Sequence, residues 1–584
     1  MATGADRRGT LAIPQAQLSL PASSTDELDR AVATLRDRAK EWLHLAVADR
    51  VELLERMIAD TRRVAGEWVA AAARAKRYPQ GSPTEFEDWQ GPFLTVRNLR
   101  LLRDSLRDID THGLPVPPGE PTTHPDGRVV VPVFPEIPHL RAVYDRMHGE
   151  IWMQPHVTLD DLHHHQARAY REPSSLTPRV CLVLGAGNVA AIPPTDALYK
   201  LFAELQTVVL KMNPVNDHLG GYLAQAMAAL VERGFLRIVY GGADEGSYLA
   251  GHEGVDEVHV TGSDKTHDAI VFGTGEEGAR RKSERRPLLT KRITSELGNV
   301  TPVIVVPGRW SDDDVLYHAH NIASMLTNNA GFNCIAAGNV VTHRMWSRRS
   351  DLLNALRATL REARSRYPYY PGSEDRWRAF VDAYPHAERL GPEGDGYLPW
   401  TLIPDLEPDV EEDIAFAAEA FSPVLGEVAL DAPRDVATFI DQAVEFCNDR
   451  LWGTLAATVI VHPRSQKDPP VAGALDRALE RLRYGTVAVN HWTGLAYAVM
   501  TTSWGAYTGH DLHDIQSGRG VVHNTYLYEA PEKSVVRGPF RTVVEPPWFV
   551  THRRAHEVGR RYLDVEADPS LRTLTRLMPA LLRP

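Results

Sequence analysis

Apolar residues recur along this chain in two different periods, and the change of period divides it. Ser24-Thr25-Asp26-Glu27 has the spacing of a capping box that starts a helix. Leu28, Val32, Leu35, Ala39, Trp42, Leu43 and Ala46 follow at helical spacing. Val51, Leu54, Met57 and Ile58 continue as a second amphipathic helix. Residues 1–24 show no such period and are expected to form a flexible tail. The Pro/Gly-rich stretch from Gly119 to Gly127 reads as a linker, and Val129-Val130-Val131-Pro132-Val133 as a strand after it. From Val180 onward, short apolar runs alternate with helical segments. Val180–Leu184, Thr207–Lys211, Arg237–Tyr240 and Glu257–Val260 are the strands, with helices expected over about 195–205 and 219–233 between them. Strands alternating with helices make β-α-β units and a parallel sheet. Such a sheet binds ligands beyond the carboxyl ends of its strands. Near the end of the chain, Arg553, Ala555, Val558 and Leu563 suggest one added helix. Leu571, Leu574, Leu577 and Leu581 suggest another.

Length and charge narrow the class. The 584 residues imply several domains. A net charge of −12 spread along the chain argues against a nucleic-acid partner. Three cysteines cannot build a disulfide framework, which points to a reducing, cytoplasmic setting. No apolar run is long enough to span a bilayer. His163-His164-His165 invites a metal, but consecutive helical residues do not share a face. A solvated helix face is the reading, and no metal is expected.

The candidate chemistry centres on Cys334, in the run Asn329-Ala330-Gly331-Phe332-Asn333-Cys334. Asn and Gly residues make continuous secondary structure improbable there, and a thiol on such a loop can meet a substrate carbonyl. A buried structural cysteine is the commoner fate of a free thiol, and Cys181 and Cys447 fit it: one lies in an apolar strand, the other at a helix end. Four other features lie at strand ends or junctions. Asn188, closing Gly185-Ala186-Gly187-Asn188, could donate to an oxyanion or be a turn residue. Lys211 ends a strand at the ligand edge of the sheet. Gly262 and Ser263 sit between a strand and a helix, where backbone N–H groups favour phosphate. Glu296, before the strand Pro302–Val306, is either a general base or a surface carboxylate.

The order of these pieces resembles the aldehyde dehydrogenase superfamily. Asn188, Val208–Lys211, Val260-Thr261-Gly262-Ser263, Glu296-Leu297-Gly298, Gly331–Cys334 and Glu419-Ala420-Phe421-Ser422-Pro423 occur in the family's sequence. Asn448–Ala457 and Gly485-Thr486-Val487-Ala488-Val489-Asn490 are similar to two more of its segments. The likeness covers about residues 25–540. It implies an α/β fold with a Rossmann-like nucleotide-binding domain (25–128 and 174–297) and an α/β catalytic domain (298–525). It also implies a β oligomerisation element (129–173, with a strand in 526–545), leaving 546–584 as a helical extension for packing or subunit contact. Cys334 would be the nucleophile, Glu296 the base that activates water, and Asn188 an oxyanion donor. Lys211, Gly262, Ser263, Gly298, Glu419 and Phe421 would hold NAD or NADP. A homodimer or homotetramer acting on a small-molecule aldehyde is the implied assembly.

The departures matter for specificity. Lys211-Met212-Asn213-Pro214 stands where the family often has Lys-Pro-Ser/Ala-Glu. Loss of that Glu removes a carboxylate that would repel a 2′-phosphate, which opens the site to NADP. Gly187-Asn188-Val189 is similar to a segment of the fatty acyl-CoA reductases. Three readings follow: aldehyde oxidation through a cysteine thioester, the reverse reduction of an acyl-CoA or other thioester, and a non-catalytic protein on a decayed fold. Retention of Cys334, Glu296, Asn188 and Glu419 together favours a working enzyme, and Glu296 favours oxidation. Trp492, Leu495, Tyr497, Met500 and Trp504 lie where the family builds its substrate entrance, which suggests a bulky hydrophobic aldehyde.

Overall fold

A computed structural model describes residues 8–137, 144 and 146–582. Two sheets organise these residues. The first runs in the spatial order Gly518–Arg519, Arg292–Glu296, Glu257–Thr261, Val180–Leu184, Thr207–Lys211, Leu236–Val239. Its strands are parallel except Gly518–Arg519, which pairs antiparallel with Ser295 and Glu296. The short apolar runs seen in the sequence are therefore its buried strands. Gly518–Arg519, which the sequence reading places in the 298–525 domain, thus completes the edge of the first sheet.

The second sheet starts at Glu388–Leu390 and Trp400–Leu406 and passes through Val424–Leu430, Ala337–His343, Thr301–Val305, Ala456–Ile460 and Thr486–Val489. It continues without a break into Pro531–Arg537, His148–Met153, Val129–Phe134 and Thr122–Thr123. Thr486–Val489 pairs in parallel with Ser534–Arg537 of the same chain. The strands expected to serve oligomerisation therefore lengthen this second sheet within the chain.

Helices cover the first sheet. Thr25–His44 begins with the expected capping box, in which Ser24 and Glu27 satisfy each other's backbone donors. Val47–Ala75 follows, then Phe86–His112, a long helix that the sequence period did not expose. Its apolar residues are buried around most of its circumference, so it lacks the one-sided stripe that marks a surface helix. It lies between Val47–Ala75 and the C-terminal helix Ala555–Ala567. The two added C-terminal helices, Ala555–Ala567 and Leu571–Leu581, are present and pack within the chain.

Three expectations need correction. The helix expected over 195–205 spans Ile192–Leu198 and then widens into a π turn over Tyr199–Ala203. The 219–233 helix is interrupted at Met227 and splits into Gly220–Ala226 and Ala228–Arg233. The third concerns residues 8–24, which are not a loose tail. Gly9–Thr10 forms a parallel strand pair with Ala418–Glu419. Ser19 and Leu20 donate backbone N–H groups to Asp217 Oδ2 at 2.7 and 3.2 Å, and Ser23 N–H reaches the Tyr240 carbonyl at 3.0 Å. A segment without internal periodicity is thus fixed by what it lies on. His163 and His164 fall in a short 3₁₀ turn and face solvent. Among the described residues, no helix is long and apolar enough to cross a membrane.

Candidate active site

The Cys334 loop owes its shape to a short run of left-handed backbone. Asn329 and Ala330 have φ of 53° and 58°, and Gly331 follows at 84°. Non-glycine residues pay for this conformation in strain, which neighbours must offset. Here Asn329 Nδ2 donates to the carbonyls of Asn188 and Phe332, and Asn329 Oδ1 accepts from Lys76 Nζ and the Tyr369 hydroxyl. At Gly331 a side chain would meet the Ser422 carbonyl at 2.9 Å, so the close approach requires glycine. Trp492 Nε1 ties down the far side of the loop through the Ile335 carbonyl at 3.1 Å.

This arrangement holds the Cys334 thiol, partly buried, against Glu296. The thiol donates to Glu296 Oε1 at 3.1 Å, and Trp504 Nε1 donates to Oε2 at 2.9 Å. Burial pushes the Glu296 carboxyl up to about 7; Asp196 adds to the rise, and the two hydrogen bonds resist it. Burial, and then the Glu296 charge, raises the Cys334 thiol well above its ordinary value. The resting pair is therefore a protonated thiol beside a carboxyl poised near neutrality. Cys181 and Cys447 are buried, the first in a strand and the second in a helix, as expected of structural cysteines.

Two cavities meet at Cys334. The larger, about 400 Å³, runs along the carboxyl ends of the first sheet. It collects Asn188, Lys211, Gly262, Ser263, Glu296, Gly298, Glu419 and Phe421, so every candidate residue from the sequence lies on one continuous cleft. Ser263 caps the helix Asp264–Phe272 through Thr266 N–H at 3.0 Å, which leaves a helix N-terminus facing the cleft. Lys211 is buried, and its Nζ has a long 3.4 Å bond to the Met212 carbonyl. Burial lowers it to about 8, against the pull of Glu245 and Asp217. Glu419 Oε1 accepts from Asn299 N–H at 3.2 Å, and burial raises this carboxyl to about 8. Asn188 donates one amide proton to the Phe332 carbonyl at 3.0 Å, which fixes it beside the Cys334 loop.

The second cavity, about 100 Å³, approaches Cys334 from the helical side. Its walls are mostly apolar and include the aromatic side chains of Phe86, Phe93, Trp492, Tyr497, Trp548 and Tyr562. Leu495 and Trp504 also line it, as their sequence position suggests, whereas Met500 is buried outside the lining. Trp548 and Tyr562 come from the C-terminal extension, which no sequence pattern placed at the site. The N-terminal segment was missed in the same way. Thr10, Ile13, Pro14, Gln15 and Ala16 line the larger cleft, and Thr10 Oγ1 donates to Glu419 Oε2 at 3.1 Å.

The aldehyde dehydrogenase family profile matches residues 142–372, a span that contains Asn188, Lys211, Glu296 and Cys334. The chain carries an aldehyde dehydrogenase family domain. Among curated relatives, benzaldehyde dehydrogenase [NAD(+)] of Pseudomonas putida is 27% identical over 353 residues, 54% of this chain and 63% of that enzyme. An aldehyde dehydrogenase from a Fusarium species is 29% identical over 160 residues, 27% of this chain and 31% of its own length. The chain thus matches less than two thirds of these relatives. The fold likeness extends further. The NAD-dependent aldehyde dehydrogenase of Sinorhizobium meliloti superposes with a TM-score of 0.57 at 19% identity, covering 92% of both chains. An NADP-dependent glyceraldehyde-3-phosphate dehydrogenase from Bacillus halodurans gives 0.57 at 18% identity, covering 90% of this chain and 95% of that one. The α/β architecture of two sheets is the aldehyde dehydrogenase fold.

Proposed function

We propose that this protein oxidises an apolar aldehyde to a carboxylic acid with NAD or NADP. The observation that carries this reading is the junction at Cys334: one thiol faces both a long polar-edged cleft and a short aromatic cavity. The cleft fits a dinucleotide. The N-terminal turn of Asp264–Phe272 suits a pyrophosphate, Lys211 has protons to give a ribose, and the Glu419 carboxyl can take the ribose beside the nicotinamide. Pro214 lines this cleft where the family often places a carboxylate, so a 2′-phosphate is tolerated.

In this reading the aldehyde enters the aromatic cavity and its carbonyl carbon meets Cys334 Sγ. Glu296 takes the thiol proton as the C–S bond forms, and the Asn188 amide with the Cys334 N–H holds the oxyanion. NAD(P), when bound, supplies the two-electron acceptor for the substrate's hydride. Glu296 passes the thiol proton to solvent, then deprotonates the water that cleaves the resulting thioester and returns that proton to Cys334 Sγ, releasing the acid and the free thiol. Aldehyde, water and oxidised cofactor are consumed; acid, reduced cofactor and one proton are released. Support for hydrolysis over transfer to a second thiol is the Glu296 carboxyl, held by Trp504 against the nucleophile.

The test is a cofactor-reduction screen over aldehydes of graded length and aromaticity, with free coenzyme A present and absent. Turnover of apolar aldehydes without coenzyme A is expected. An enzyme that turns over only when coenzyme A is supplied would overturn the hydrolytic reading in favour of a thioester reductase.

A further inference from the structure

The far wall of the aldehyde cavity is built where two helices cross. On Phe86–His112, the residues Phe86, Gln90, Phe93, Leu94 and Arg97 recur every three to four positions and present one face to the cavity. On Ala555–Ala567, Tyr562 and Glu566 lie one turn apart and face them. The Phe93 and Tyr562 rings pack at 5.6 Å between centroids. Arg97 and Glu566 are thus charged residues set in a largely apolar wall.

Neither charge is available to a ligand in the present arrangement. Arg97 Nη1 donates to both Glu566 oxygens at 3.1 Å, its Nη2 to Glu136 Oε2 at 3.1 Å, and its Nε to the Val499 carbonyl at 3.1 Å. Arg100, behind it, donates from Nη2 to Glu566 Oε2 at 2.8 Å and to Glu136 Oε1 at 3.1 Å, and from Nε to the Glu566 carbonyl at 2.9 Å. All four side chains are at most 4% exposed. Two cations and two anions cancel. Burial opposes the Arg97 charge, and Glu136 and Glu566 more than offset it.

We infer that Glu566, carried by the C-terminal extension, is a specificity-determining residue that masks Arg97 and reserves the cavity for aldehydes without a carboxylate. This rests on the proposed oxidation of aldehydes at Cys334. An unmasked arginine in an aromatic cavity would be a fork-shaped receptor for a substrate carboxylate. With Glu566 in place, the donors that such a substrate needs are spent, and its charge meets a second carboxylate. Like charges brought together in a desolvated site cost several kcal/mol.

The test compares benzaldehyde with 4-carboxybenzaldehyde, which differ by one carboxylate remote from the reacting carbon. The wild type is expected to favour benzaldehyde by ~100-fold in kcat/KM, in line with such a charge penalty. Glu566→Gln keeps the shape and leaves one net positive charge, so the preference should narrow by at least about tenfold. Arg97→Gln/Glu566→Gln removes that charge again and should restore the wild-type ratio. A wild type that uses both aldehydes equally overturns the proposal without any variant, as does a folded Glu566→Gln enzyme whose ratio is unchanged. Melting shifts with benzoate and terephthalate separate this inference from the function on which it rests. If no aldehyde is oxidised, the proposed function fails. A terephthalate-specific stabilisation of Glu566→Gln over wild type then still supports the mask, and equal shifts overturn it.

Discussion

The N-terminal segment 8–24 and the C-terminal extension each line one of the two cavities that meet at Cys334, and they are held there by different physics. The C-terminal helix Ala555–Ala567 is built into the aldehyde cavity by aromatic packing and by a buried cluster of two arginines and two glutamates. The N-terminal segment crosses the cofactor cleft through single hydrogen bonds and one two-residue strand pair. An element that buries charge cannot leave without stranding its partners. The N-terminal segment buries no ion pair, and its anchors are hydrogen bonds and the partly buried side chains of Leu11 and Ile13.

The largest effect should come from the point where both regions meet. Cys334→Ala is expected to lower aldehyde oxidation by about 10³-fold or more while both cavities survive. Cofactor binding followed by fluorescence and benzoate binding followed by thermal shift should stay near wild type. Loss of either ligand would mean that Cys334 shapes a cavity as well as reacting. Glu296→Gln should come next, with turnover down about 10²–10⁴-fold. The initial burst of reduced cofactor should be slower, because acylation also loses its proton acceptor, and an acyl-enzyme should accumulate in intact-mass spectra. Glu296 is raised to about 7, and the base must be ionised to act. Hydrolysis-limited turnover in the wild type should therefore rise as pH increases through about 7 and level off above it. Glu296→Gln should lack that limb.

Much of the cleft was legible because it is written in short local patterns. Lys211, Gly262 and Ser263 sit at ends of apolar strands, and a parallel sheet brings such ends to one edge; Glu296 joins them at the end of Arg292–Glu296, a strand too polar to read from sequence. The Cys334 loop announced itself through Asn and Gly residues that need left-handed backbone. The covers were illegible for the opposite reason. Thr10 acquires meaning only through Glu419, and Arg97 only through Glu566, each hundreds of positions away. Phe86–His112 was hidden because burial on most sides erases the amphipathic stripe. The strand Pro531–Arg537 was found, but its neighbour could not be read, since a strand's sequence does not say which edge it joins.

Truncation separates the two ends directly. Ending the chain before Ala555 removes Glu566 and leaves Glu136 as the one buried carboxylate beside Arg97 and Arg100, with the more exposed Asp104 on Arg100 at 3.7 Å. Breaking a buried pair from one side costs about 3–5 kcal/mol, and the aromatic wall is lost with it. The truncated protein is expected to melt far below wild type or fail to accumulate as folded material, read by calorimetry and circular dichroism. A shortened chain that melts like the full one would show that the extension is dispensable, and the contrast between the ends would collapse.

The smallest effect should appear at Thr10, and its direction is the informative part. Thr10 Oγ1 donates to Glu419 Oε2, the carboxyl proposed to take a cofactor ribose, and Thr10 N–H donates to Asp264 Oδ1 at 2.9 Å. Gly9 passes Asp264 so closely that a side chain there would lie 2.2 Å from Oδ2, and its φ is +89°. The segment is therefore fitted to the resting cleft, and a ribose at Glu419 must compete with it. Thr10→Val keeps the shape and removes the hydroxyl, which is worth about 1 kcal/mol in a typical hydrogen bond. Cofactor should bind about three- to tenfold more tightly, with the melting temperature nearly unchanged. Saturating cofactor should also speed amide hydrogen exchange across residues 9–16 in the wild type. Weaker binding in Thr10→Val, with slower exchange on adding cofactor, would instead make the segment a lid that closes over the bound dinucleotide, and the N-terminal end would then belong to the site as firmly as the C-terminal one does.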